Sequence, residues 1–254
     1  MGHFTRHLVA AGALASLALS LAALPLAAAA QPAATLADAW LAHQQAHPGP
    51  ISWSHSAALS HETAAALGFK RQRLIAEIDN LALHRRVQGD ALASAGLAEW
   101  QASLAEMDDR AARSPGRHDL PWLAANLRHN PPQSRFARLG SCEIPGWVEV
   151  WSAAGVSRHA WQPELTPRQL LRELPQAAYS HADEVVTITP LGDSHAAPVA
   201  AWNHQPLPLA PGSRLVVPLA AGVDDAAFVS ELLAELLATR LPGDDCTMTD
   251  LGTP

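Results

Sequence analysis

The stretch LTPRQLLREL, residues 165–174, limits the possible folds more than any other part of the chain. Thr166 is an N-cap residue, Pro167 suits the first helical position, and Gln169 closes a capping box. A helix therefore starts at this point, with Leu170, Leu171 and Leu174 facing inward. On both sides of it the apolar pattern changes to period two, the period of strands. WVEVW (147–151) and RHAWQ (158–162) read as two strands joined by the turn SAAGVS. EVVTIT (184–189), PVAAWN (198–203) and RLVVPL (214–219) read as three more, separated by PLGDS and by the turn at Pro211-Gly212-Ser213.

Strand, strand, helix and three further strands is the order of a β-grasp domain, a mixed sheet wrapping one helix, and the fold class is α+β. After the sheet, DDAAFVSELLAELLATRL carries Phe228, Val229, Leu232, Leu233, Leu236, Leu237 and Leu241 as one stripe of an amphipathic helix. Asp224 and Asp225 at its start and Arg240 near its end suit the helix dipole. Ahead of the sheet lies a helical hairpin. Leu67, Leu74, Ile78 and Leu81 mark its first arm, and Leu92, Leu97, Trp100, Leu104 and Met107 its second, with a turn at Gly89-Asp90. PWLAANLRHNPP is a short helix with Pro121 at its start. QSRFARLGSCEIPG reads as a linker or a distorted strand pair. Near the N-terminus, Thr35 caps a helix bearing Leu36, Ala39 and Trp40, and Ile51–Trp53 reads as a short strand.

The first thirty residues fit none of these patterns. Arg6, an apolar run from Leu8 and small residues up to Ala30 form the n-region, h-region and cleavage site of a secretory signal peptide. No later stretch is apolar for long enough to span a bilayer. The formal charge is −7, and the leader holds one arginine and no acid. That balance argues against nucleic acid and against an anionic membrane surface as partners. Cys142 and Cys246 are the only cysteines. In an exported protein they permit one intramolecular disulfide.

Several segments together resemble the capsule-biosynthesis GfcC-like family. The hairpin leads to Gly116-Arg117, then to the short helix from Asp119 and to Asn130-Pro131-Pro132. VEVWSAAGVSRHAWQP runs into LTPRQLLREL, PVAAWN precedes APGSRLVVPL, and the last helix ends at Arg240-Leu241-Pro242. The resemblance covers roughly residues 36–242. It implies two β-grasp domains similar to those of periplasmic polysaccharide exporters, the first interrupted by the helical hairpin. The expected organisation is a signal peptide at 1–30 and a first domain at 31–144 with its insert at about 60–113. A second β-grasp domain at 145–222, an amphipathic helix at 223–242 and a polar tail at 243–254 follow. So little chain separates the cleavage site from Leu36 that the first domain is expected to lack its opening strand pair. The resemblance implies no enzymatic activity and no cofactor. The function expected is that of a periplasmic accessory protein in capsule or exopolysaccharide export, binding the machinery or the polymer. The alternative is a polysaccharide hydrolase with a cleft between insert and sheet.

The candidate residues are few. His43 and His47 stand four apart, but no carboxylate completes a metal set and Pro48 ends their helix, so surface histidines are expected rather than a metal site. No G-x-S-x-G elbow occurs, and Asp108 and Asp109 read as a solvated helix end. Trp147, Trp151, Trp161 and Trp202 fit sheet packing, or a platform on which a sugar stacks. Arg117 either grips a carboxylate or phosphate or fixes its loop, with Arg128 and Arg135 as weaker candidates. Arg117 and Trp202 are thus the expected binding residues. The last helix docks either on its own sheet or, through Phe228, Leu232 and Leu236, on a partner or a second copy.

Overall fold

Side-chain caps set the starts of five α-helices, and among the described residues the sixth, Ala226–Ala238, begins without one. The computed structural model describes residues 34–203, 205–220 and 225–252; the leader expected over 1–30 lies outside them. Helix α1 (Leu36–Ala46) begins at Thr35, whose hydroxyl accepts the Asp38 N–H while the Asp38 carboxylate accepts the Thr35 N–H at 2.8 Å. Strand β1 (Ser56–Ser60) runs straight into α2 (His61–Val87), because Ser60 ends the strand and caps the helix through the Thr63 N–H. Gly89, at φ +79°, turns the chain, and Asp90 caps α3 (Ala91–Ala105). Asp119 caps α4 (Leu120–Ala125), with Pro121 in its first turn. The capping box of Thr166 and Gln169 opens α5 (Pro167–Leu171), as its sequence requires.

Two sheets follow from the strands. β2 (Phe136–Cys142) lies between β1 and β8 (Cys246–Asp250), antiparallel to both. The second sheet has the order β4–β3–β7–β5–β6, built from β3 (Trp147–Ser152), β4 (Gly155–Ala160), β5 (Glu184–Ile188), β6 (Ser194–Pro198) and β7 (Arg214–Val216). β3 and β7 are parallel, and the other neighbours are antiparallel. Parallel neighbours need a crossover, and the chain from β4 through α5, β5 and β6 supplies it.

This sheet is covered on both faces. Val148, Val150, Val185, Leu215 and Val217 point to Leu170 and Leu171 of α5. Trp151, Ile188 and Val216 point to the other side, where the α2–α3 hairpin and α6 (Ala226–Ala238) close over them. Burial on both faces is why the last strand reads as an unbroken apolar run rather than an alternating one. A separate core joins α1 and α4 to the first sheet through Leu36, Trp40, Leu123, Phe136 and Leu139.

Four strand positions differ from the sequence expectation. Residues Trp53–His55 form a 3-10 turn, and the strand comes after it, at β1. The segment around 133–146, read as a linker or a distorted strand pair, supplies one regular strand, the centre of the first sheet. PVAAWN contributes only its Pro198 to β6: the Val199 and Ala200 N–H groups both turn to the Asp183 carbonyl, which ends the pairing with β5. The polar tail contains β8, because its backbone completes the ladder on the open edge of β2.

Three enclosed histidines make stability pH-dependent. His43 shares a 2.7 Å hydrogen bond with the Thr249 hydroxyl, and His55 donates its Nε2–H to the Pro211 carbonyl at 3.0 Å. His118 packs edge-on against Phe136. Burial holds all three below the ordinary histidine value of 6.5; neighbouring His47 adds to this at His43, and Arg113 at His55 and His118. The unfolded chain therefore binds more protons below that value, so this contribution is complete above about pH 6.5 and is lost as the pH falls. Urea midpoints are expected to drop between pH 7.5 and 5.5, above the carboxylate range. His55→Gln should blunt the drop, and a flat profile in the parent protein would contradict the account.

Candidate functional site

Gly116 turns the chain with φ +95° just before Arg117. The Arg117 guanidinium then lies against Asp119, donating from Nε at 3.0 Å and from Nη2 at 3.1 Å. Asp119 is 2% exposed and also accepts the Trp122 N–H at 2.9 Å. One buried carboxylate thus fixes both the start of α4 and the direction of Arg117, whose side chain remains 48% exposed. After α4 the chain makes two 3-10 turns, Leu127–His129 and Gln133–Arg135, which bring Arg128 and Arg135 to the same hollow.

That hollow is a cavity of about 650 Å³. Arg117, Arg128, Arg135, His118, His129 and Trp122 line it, and none of its lining residues is acidic. The rings of Trp122 and His129 lie 5.7 Å apart and form one wall. The hydroxyls of Ser60, Thr63 and Ser114 stand 2.8–3.0 Å from one another. The three arginines singled out in the sequence are therefore brought together. Trp202 is not among the lining residues: it sits in the turn after β6 and is 78% exposed.

A second hollow of about 520 Å³ lies between the end of the α2–α3 hairpin and the second sheet. Glu149 projects from β3 into it and is its only buried carboxylate among the described residues. Its Oε1 accepts the Trp151 indole N–H at 2.8 Å and Arg214 Nε at 3.3 Å, and its Oε2 accepts Arg158 Nε at 3.0 Å. Burial opposes ionisation of Glu149, but Arg214, the indole and Arg158 outweigh it and hold the carboxyl below its ordinary value. Arg158 also stacks over the Trp147 ring at 4.1 Å and pairs with Asp244 at 2.7 Å. This network was not anticipated. The sequence signal for it is an acid at a core-facing position of an alternating strand, which demands a cation from elsewhere.

The remaining candidates resolve individually. His43 is buried against Thr249 and His47 is exposed; among the described residues no cluster of three or more ligand-type side chains is placed to hold a metal. Cys142 and Cys246 face each other at the end of the β2–β8 ladder and are joined by a disulfide. Helix α6 docks on its own chain. Leu236 is 4% exposed inside the main core and Leu232 is packed against it, so of the two readings the alternative of a partner contact through Leu236 is corrected: its stripe is consumed by the hairpin and the sheet. Phe228 stays partly exposed, with Arg73 over its ring at 5.3 Å.

Residues 156–242 match the family described as capsule biosynthesis GfcC C-terminal. Over this stretch the chain is GfcC-like. The matched segment runs from within β4 through α5, β5, β6 and β7 to the end of α6. The GfcC-like segment thus contains Arg158 and Arg214, which hold Glu149, and the helix that closes the main core. The description of that family names capsule biosynthesis. No helix among the described residues is long and apolar enough to cross a membrane.

Proposed function

We propose that this chain is a non-enzymatic periplasmic accessory protein for capsule or exopolysaccharide assembly and export, acting by binding the polymer or the export machinery. The observation that carries this over a hydrolase is the state of Glu149. A glycosidase needs one carboxyl that gives a proton and a second that attacks or activates water. In the cleft between insert and sheet, where such a pair belongs, the only buried carboxylate among the described residues has both oxygens engaged by Trp151, Arg158 and Arg214. Held ionised, it is a poor general acid, and its lone pairs face protein donors rather than substrate.

The β-grasp reading of 145–222 is supported by the mixed sheet, its parallel β3–β7 pair and α5 across one face. The three-stranded sheet with its α2–α3 insert supports a partial first domain, completed by a strand from the C-terminal end. Deleting the gene is expected to remove surface polysaccharide, while the purified protein leaves isolated polymer at its original chain length. Reproducible shortening of the polymer, abolished by Glu106→Gln or Asp244→Asn in the exposed part of the cleft, would overturn the proposal.

A further inference from the structure

We infer that the cavity of Arg117, Arg128 and Arg135 is a binding site for a carboxylate-bearing oligosaccharide. The inference rests on the accessory reading and names the ligand of such a protein. Charge is its first support: the chain is formally −7, yet three guanidinium groups converge on one hollow with no acidic lining residue. Among the described residues, no carboxylate lies within ion-pair distance of Arg128 or Arg135. Arg117 is neutralised, but Asp119 takes only its Nε and Nη2 face, and half of the side chain is open. Planar guanidinium forks match carboxylates in a two-bond geometry that a lysine cannot reproduce.

The second support is the wall beside the charges. Trp122 and His129 offer ring faces against which the C–H face of a sugar packs. Asn130 lines the hollow and accepts the Ala37 N–H through Oδ1, leaving its amide N–H groups as donors. The volume falls within the usual range of about 300–1,000 Å³ for ligand cavities. A long polyanion such as nucleic acid would meet repulsion from the acidic remainder of the chain, whereas a short acidic saccharide segment engages only the basic hollow.

The test is calorimetric titration of the purified protein with trigalacturonate, maltotriose, hexaglutamate and inorganic phosphate in separate runs. Trigalacturonate is expected to bind in low salt and to weaken as salt rises. Arg128→Gln/Arg135→Gln, two exposed changes that leave the Arg117–Asp119 pair intact, should weaken it by about tenfold or more. Neutral maltotriose should bind at least about tenfold less well than trigalacturonate. Equal binding of maltotriose overturns the role of the arginines, and equal binding of hexaglutamate makes the hollow a site for an acidic protein segment. Equal binding of phosphate makes it a simple anion site. Trigalacturonate binding that the double variant leaves unchanged, or no binding at all, also overturns the inference. Capsule loss on gene deletion is independent of these outcomes, so the site can fail while the accessory role stands.

Discussion

Removing the Cys142–Cys246 bridge should cost about 4 kcal/mol of stability and lower the melting temperature by roughly 8–15 °C. The bond spans 104 residues of sequence, and closing a loop of that size removes much of the unfolded chain's freedom. The native side points the same way. Among the described residues β8 is an edge strand whose only strand neighbour is β2, and none of its five residues is fully buried. It therefore contributes little hydrophobic free energy of its own. What it holds is specific: the Thr249 bond to His43 and the Asp250 pair with Arg138 at 2.8 Å. Without the bridge these contacts and the β2–β8 ladder must organise the last strand. Thermal melts of the parent and of Cys142→Ser/Cys246→Ser test this. A difference below about 1 kcal/mol would mean that backbone pairing alone secures the strand.

The bridge also shows where sequence reasoning reaches and where it stops. Elements that announce their own ends were legible. Thr35 and Thr166 are caps whose partners lie three residues away, so local chemistry decides them. Strand β7 was legible because sandwiching between α5 and α6 forces an apolar run. Strands β1, SAALS, and β8, CTMTD, were not, because small or polar residues carry little pattern and both become strands by pairing with β2. The candidate site divides in the same way. The chemical capacity of Arg117, Arg128 and Arg135 is visible in their side chains, but their convergence depends on the Gly116 turn and two 3-10 turns. The Glu149 network was hidden because Arg214 stands 65 residues away in sequence. Trp202 is a different case: its aromatic character suggested a strand or a platform, and the chain had already left the sheet at Pro198.

Two helical glycines should respond to alanine with opposite signs, and the difference locates the contact that joins the helical insert to the sheet. Alanine favours a helix over glycine by about 1 kcal/mol, so propensity alone predicts a gain at both Gly68 and Gly96. At Gly68 in α2 the nearest atom to an added Cβ is Asp109 Oδ2 at 3.9 Å, and Gly68→Ala should keep most of that gain. At Gly96 in α3 the Cβ would stand 2.2 Å from the Ala153 carbonyl oxygen and 2.7 Å from both Ala153 C and Gly155 N. These are backbone atoms of the β3–β4 turn, which no rotamer change can move aside. The helix would have to lift, and one turn further on Trp100 donates its indole N–H to Ser152 O of the same turn at 2.9 Å. That bond is fully buried, so stretching it adds to the overpacking cost of about 1–3 kcal/mol. Gly96→Ala should therefore destabilise by about 2 kcal/mol net, against the direction of helix propensity. Urea denaturation of both variants measures the sign directly. If Gly96→Ala stabilises as Gly68→Ala does, α3 does not sit on the β3–β4 turn at this distance. If it destabilises, the absence of a side chain at position 96 is what lets the insert close over Trp151 and complete the core that also encloses α6.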